Sequence, residues 1–324
     1  MRIVITGAAG FLGSRLARAI LARGRLTDAR GEEREVRKLV LLDVAPASVS
    51  DPRVSVVTGD LADPALIERV VTADTDAIFH LAAVVSGQAE AEFDTGMRVN
   101  LDAMRALLER CRRLAQPPKL VFTSSLAVFG GALPDPVPDD ALLTPQTSYG
   151  TQKAIGEYLL YDMTRKGYLD GRSLRLPTVT VRPGKPNRAA SSFASGIIRE
   201  PLNGIDSACP VGPETRVWVS SPRTVVDNLI VGNEVPAAKF THARSVNVPG
   251  ICVSVGEMVA ALRRIAGDAV ADRVKWQPDP VIERIVATWP PRFAPVLGPA
   301  LGMRSDPDFE SIVRAYIADD LPRR

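Results

Sequence analysis

The octapeptide TGAAGFLG, residues 6–13, follows the short β-branched run Arg2–Thr6 and opens a segment of helical pattern. Leu12, Leu16, Ile20 and Leu21 share one helical face across residues 11–23. Glycines at 7, 10 and 13 allow a tight turn and let backbone N–H groups come close to an anion. A glycine pattern by itself also fits a plain strand–helix turn. The order strand, glycines, helix is what a dinucleotide pyrophosphate requires, so a nucleotide is expected at the N-terminus of this helix.

Outward from that unit, apolar runs of strand length at 39–42, 54–57, 77–80, 120–123 and 174–181 alternate with helical patterns at 64–71, 90–114 and 148–166. Continuous apolar strands between helices predict a parallel sheet covered on both faces. The expected fold class is therefore α/β, a Rossmann-type doubly wound parallel sheet with a smaller C-terminal substrate-binding region. After about residue 182 the rhythm breaks, and Pro and Gly crowd 183–186 and recur between 201 and 213. A strand at Arg216–Ser220 and helices near 224–231 and 255–265 are expected there. SVGE at 254–257 reads as a capping box. Asp306 and Pro307 read as N-cap and first residue of a last helix over 308–317. The expected organisation is mainly a dinucleotide-binding Rossmann domain over 1–182 and a substrate-binding region over 183–324, with one segment returning to the main sheet.

Composition excludes several classes. Among 324 residues, 40 Lys and Arg against 37 Asp and Glu leave +3, too little for an electrostatic case for nucleic acid. The run RGEEREVRK at 30–38 mixes both signs and reads as a solvated loop or helix face. Cys111, Cys209 and Cys252 lack CxxC spacing, which argues against a disulfide framework or zinc site and for a reducing compartment. His80 and His242 are the only histidines, so neither a His-rich metal site nor Ser-His-Asp hydrolysis has its raw material. No apolar run approaches the ~20 residues that span a bilayer, and no signal segment precedes the first strand. A soluble, cytoplasmic protein is expected, with no metal and no membrane or nucleic-acid partner.

Tyr149 and Lys153, in YGTQK, lie at i and i+4 and share a helical face. A phenol with an ordinary pKa near 10 is a poor base, and a nearby cation favours its phenolate. Alone, such a pair is common on solvated helices. Ser124 and Ser125 end a buried strand facing the crevice, where Ser125 can steady a substrate oxygen against Tyr149 or simply cap a turn. Asp43 ends the second strand, where a carboxylate accepts ribose hydroxyls and repels a 2′-phosphate, favouring NAD over NADP. It lies 30 residues beyond Gly13, against about 20 for the fingerprint, and the excess is assigned to an inserted loop at 24–38. Asp60 contacts an adenine edge or caps the helix after it. His80, in an apolar strand, reads as a satisfied core histidine.

Together these residues resemble the extended short-chain dehydrogenase/reductase family along essentially the whole chain. The resemblance rests on TGAAGFLG, Asp43, Asp60 with Leu61, HLAA at 80–83, Val99 with Asn100, FTSSLAVFG at 122–130, and Tyr149 with Lys153. It implies catalysis by Ser125, Tyr149 and Lys153, with Asn100 holding a proton-relaying water. It also implies NAD held by Gly7, Gly10, Phe11, Leu12, Gly13, Asp43, Asp60, Leu61, Leu81, Ala82, Ala83, Asn100, Ser124, Tyr149, Lys153, Pro177 and Val179. A homodimer formed through the helices at 90–114 and 148–166 is implied as well.

VVSGQ at 84–88, RLPTV at 175–179 and RPGKPNRAASSF at 182–193 are similar to the family's D-erythronate dehydrogenase branch, which oxidises the C2 hydroxyl of a four-carbon sugar acid. The residues expected around such a substrate are Ser86, Gly87, Gln88, Ser125, Thr178, Arg182, Asn187, Arg188, Ser192 and Arg216. Guanidinium matches a carboxylate in bidentate fashion, and Arg182, Lys185, Arg188 and Arg199 cluster here. The same cations suit a diphosphate. Phe129 departs from the Tyr of the family's V-Y-G, and RVWVSS from residue 216 replaces the RDYIHVxD of sugar-nucleotide epimerases. A sugar-nucleotide 4-epimerase or dehydratase is the alternative, and a non-catalytic NAD-sensing protein a remoter one.

Overall fold

The run Arg2–Thr6 is an interior strand, β1, of a seven-stranded parallel sheet in the computed structural model, which describes residues 1–185, 189–240 and 244–322. The other strands are β2 (Lys38–Asp43), β3 (Val54–Thr58), β4 (Thr75–His80), β5 (Lys119–Ser125), β6 (Asp170–Leu176) and, much later, β9 (Ser245–Asn247). Their order is β3-β2-β1-β4-β5-β6-β9, the doubly wound arrangement expected. Strand order reverses between β1 and β4, which opens a crevice at their carboxyl ends.

Successive strand residues feed opposite cores. Ile3, Ile5, Leu39 and Leu41 pack with Leu16 and Ile20 of α1 (Phe11–Arg23) on one face. Val4, Val40 and Leu42 pack on the other with α2 (Pro64–Val70) and α3 (Ala103–Arg112). Two buried faces explain why these strands read as unbroken apolar runs. α4 (Ser148–Arg165) covers the second face and α6 (Pro222–Glu234) the first. α5 (Ser192–Leu202), α7 (Val255–Ala266) and α8 (Phe309–Asp319) enclose a separate apolar cluster, together with a three-stranded sheet of β7 (Thr178–Val179), β8 (Arg216–Ser220) and β10 (Ile251–Ser254).

Several expected elements differ. The single helix over 90–114 is broken at Glu92, and a π-helical turn, Met97–Asp102, precedes α3. The wider turn carries Asn100, which is almost fully buried and hydrogen-bonded to the backbone of Val84. The strand over 174–181 leaves the main sheet after Leu176, because Pro177 has no N–H for the ladder; β7 then pairs with β8. Asp308, not Asp306, caps the last helix, accepting from Ser311 N at 2.7 Å. Asp306 is buried instead and accepts from Ser220 Oγ, Ser221 N, Ser221 Oγ and Thr224 Oγ1. The capping box of Ser254 and Glu257 is present. The inserted segment after Gly24 is a hairpin, Arg25–Thr27 against Glu33–Glu35, whose turn is organised by the Asp28 carboxylate accepting from Arg30 N and Glu32 N.

Candidate active site

The glycine turn is built to leave backbone bare. Gly7 takes φ +71°, and a Cβ there would lie 2.7 Å from Ala82 N. A Cβ on Gly13 would lie 2.2 Å from Gly7 O, so these two glycines are demanded by the chain's own packing. Gly10 differs: it is exposed, and a Cβ would meet only Gly7 O at 3.2 Å. No side chain caps α1, so its first N–H groups keep their attraction for an anion. Asp43 accepts from Ala9 N at 2.9 Å and Ala45 N at 3.2 Å, which ties the end of β2 to the turn. Asp60 accepts from Ala62 N and pairs with Arg98, while Asp63 takes the cap of α2. Leu61 is buried. These features fit a dinucleotide: an uncapped helix end for the pyrophosphate and a carboxylate where a ribose would lie.

At the end of β5 three consecutive residues each meet a residue of α4. Lys153 Nζ donates to Thr123 O at 2.8 Å, Ser124 Oγ donates to Glu157, and the Ser125 hydroxyl, which also accepts from Ala127 N at 3.1 Å, lies beside that of Tyr149. The i, i+4, i+8 positions of the helix thus lie along one strand end. Lys153 is only 2% exposed, with Nζ 4.7 Å from the centre of the Phe122 ring and 5.6 Å from that of Tyr149.

Burial governs both members of the dyad. Desolvation pushes the Tyr149 hydroxyl up to about 12, opposed by the Ser125 hydrogen bond and the positive charge of Arg182. Desolvation also pushes Lys153 down to about 7, opposed by the Glu157 carboxylate. For the phenol, burial outweighs its partners, and Arg182 is the nearby charge that favours its ionised form. His80 is fully buried, hydrogen-bonded to Thr6 Oγ1 at 2.7 Å and stacked on Phe122, and desolvation pushes it down to about 3.

Beyond the dyad lies a cavity of about 520 Å³. Phe11, Leu12, Leu81, Ala83, Ser86, Gly87, Ser124, Ser125, Tyr149, Lys153, Pro177, Thr178, Val179 and Arg182 all line it, as a shared nicotinamide and substrate chamber would need. Other expected residues lie elsewhere. Gln88 turns to Glu92 at 2.9 Å. Arg216 is exposed, with a 3.9 Å contact to Cys252 Sγ, because it sits at the start of β8 while Val217 and Trp218 face the cavity. Ser192 is off the wall, and Ser191 takes its place, accepting from Arg182 Nη2 at 3.0 Å. Asn187 and Arg188 lie outside the described residues. The Asn100 amide is held by Val84 N, Val84 O and Gln152 Oε1, so it braces the segment after β4.

Sequence reasoning missed the aromatic wall. Phe129, Trp218 and Phe293 pack together, the last from a C-terminal segment that also brings Arg284 and Trp289 to the cavity. A Trp-Pro-Pro run at 289–291, in a chain with three Trp, was the available signal. Among the described residues no group of three or more His, Cys, Asp or Glu could hold a metal ion, and no helix is long and apolar enough to cross a membrane.

Residues 3–219 match the NAD dependent epimerase/dehydratase family. The chain belongs to that family. Within the family, this member is 57% identical over 320 residues to a D-erythronate dehydrogenase of Cupriavidus necator, covering 98% of each chain. It is 43% identical over 323 residues to a D-erythronate dehydrogenase of Haemophilus influenzae, covering 99% of this chain and 100% of that one. A solved structure titled as a nucleoside-diphosphate-sugar epimerase from Agrobacterium tumefaciens superposes with a TM-score of 0.93 at 42% identity, covering 98% of this chain and 94% of that one.

Proposed function

We propose that this NAD-dependent dehydrogenase oxidises the C2 hydroxyl of a small sugar acid, D-erythronate to 2-dehydro-D-erythronate. The two D-erythronate dehydrogenases similar to it over nearly their full length support that substrate class. The observation that carries the reading is Arg182. It is largely buried on the wall shared with Tyr149, and its side chain contacts Ser191 and Ser195 but no carboxylate among the described residues. Burial first, then the nearby Arg199, pushes this guanidinium down to about 10, so an arriving carboxylate would relieve an unmet charge.

In this mechanism Arg182 holds the carboxylate at the α5 end of the cavity and so turns C2 toward Tyr149. Tyr149 Oη takes the hydroxyl proton, and Ser125 Oγ orients the reacting oxygen. When bound, NAD supplies the acceptor for the hydride that leaves C2. The form with the Tyr149 phenolate beside the Lys153 ammonium is the working base in this reading; burial disfavours both charges, and Ser125 and Arg182 offset it at Tyr149 as Glu157 does at Lys153. In this reading residues 183–324, with Arg182 just before them, contribute most of the substrate end of the cavity, and residues 1–181 mainly the NAD end.

The test is NADH absorbance with purified protein, NAD and a panel of four-carbon sugar acids. Net NADH from D-erythronate is expected. Turnover of a nucleotide sugar without net NADH, and none from any acid, would replace this reading with an epimerase.

We further propose a homodimer through the helices at 90–114 and 148–166, where Phe93, Ile155 and Tyr158 stand exposed. Sedimentation showing a monomer at micromolar concentration would refute it. Cys111, Cys209 and Cys252 are unpaired, which supports a reducing, cytoplasmic setting.

A further inference from the structure

Behind the dyad, away from the cavity, lies an ion pair that the mechanism above does not use. Glu157 is 3% exposed, and Arg175 holds it in a fork, Nη2 to Oε2 at 2.7 Å and Nε to both oxygens at 3.0 Å. Ser124 donates to the same carboxylate. Arg175 lies over the Phe129 ring at 5.0 Å and donates through Nη1 to Asn247 Oδ1 at 3.2 Å. A buried pair of this kind costs several kcal/mol of desolvation per ion, and apolar replacements are often as stable or more so. Its placement is therefore the informative fact: Glu157 sits one helical turn beyond Lys153 and grips the residue between Thr123, which holds Lys153, and Ser125, which lies beside Tyr149.

We infer that Glu157, fixed by Arg175, is a positioning residue for the Tyr149–Lys153 dyad, holding the β5 end in register with α4 and placing a buried carboxylate one helical turn from Lys153. The inference rests on the Ser125–Tyr149–Lys153 reading above. The groups facing Lys153 are few. Tyr149 and Glu157 share its helix, Arg175 on β6 is taken up by Glu157, and His80 on β4 is uncharged at neutral pH. Arg182 acts on Tyr149 from the far side. Glu157 is thus the single anion near the ammonium among the described residues, and it is the group that opposes the desolvation of Lys153. Without its charge nothing named opposes the desolvation of Lys153, and the balance moves further toward the neutral amine and away from the working base.

The test is the pH profile of kcat/KM for sugar-acid oxidation in the wild type, Glu157→Gln and Glu157→Asp. NAD titration and a cooperative melt serve as checks on folding. In Glu157→Gln the acid limb should move to lower pH by about one unit, and the plateau should fall roughly tenfold. Glu157→Asp keeps the charge but draws it back, so its limb should move the same way by less; it serves alone if the Gln variant does not fold. A rate lowered equally at all pH values, with the limb unmoved in whichever variant folds, overturns the inference. Full activity in Tyr149→Phe would overturn the base assignment itself. An unmoved limb beside an inactive Tyr149→Phe would overturn only the role given to Glu157.

Discussion

Arg182 Nη2 donates to Ser191 Oγ at 3.0 Å, which sets the guanidinium at the N-terminal end of α5 and on the same cavity wall as Tyr149. If this cation receives the substrate carboxylate, Arg182→Gln removes a charge-assisted bond of about 1.5–3 kcal/mol. KM for the sugar acid should rise roughly 10- to 150-fold, with a smaller change in kcat. Steady-state kinetics decides, and an unchanged KM would remove Arg182 from that role.

Tyr149→Phe keeps the ring that faces Lys153 and loses only the hydroxyl. The expected loss in kcat is about 10²- to 10⁴-fold, the usual contribution of a general base. NAD affinity, followed by fluorescence titration, should change little.

The three glycines of the turn should separate folding from cofactor binding. Gly13→Ala sets a Cβ 2.2 Å from Gly7 O and should lower the melting temperature of the chain itself. Gly10→Ala meets only Gly7 O at 3.2 Å and points into the open, so it should melt almost as the wild type does while binding NAD more weakly. Melting curves with and without NAD distinguish the two outcomes.

His80 gives a pH signature in stability. Its folded pKa is pushed from 6.5 down to about 3, so the unfolded chain binds the extra proton first as pH falls. The neutral form's contribution is complete above 6.5 and is lost as pH drops toward 3, at about 1.4 kcal/mol per pH unit. His80→Asn lacks this titration. The wild type's advantage in denaturant unfolding should therefore shrink between pH 6.5 and 4, and a constant gap would contradict the burial argument.

Asp306 ties the segment before α8 to the start of α6 through four accepted hydrogen bonds. Asp306→Ala strands the buried Ser220 and Ser221 donors and should cost about 3 kcal/mol. Equilibrium unfolding measures it.

What could be read beforehand was what the chain encodes locally. The glycine turn, the capping box at Ser254 and the spacing of Tyr149 and Lys153 each need only a few neighbouring residues. The parallel sheet was legible because its strands are buried on both faces. Asp306 and Asp308 show the limit: both are good capping residues, and only the distant Ser220–Thr224 turn decides which one is free to cap. The π-helical turn at Met97–Asp102 likewise seats Asn100 against Val84 and Gln152, a tertiary demand that helical periodicity does not carry. The dyad was visible as a pair, but the balance of its charges depends on Arg182, Glu157 and burial, all set by the fold.

β9 has a bearing on how the protein is made. Until Ser245–Asn247 has left the ribosome, β6 has no outer neighbour, and its edge N–H and C=O groups stand open to other chains. Asn247 is also missing from Arg175 until then. A nascent chain stalled before residue 245 would therefore carry the glycine turn and most of the parallel sheet with one edge left open, so the fold is closed only when its last strand arrives.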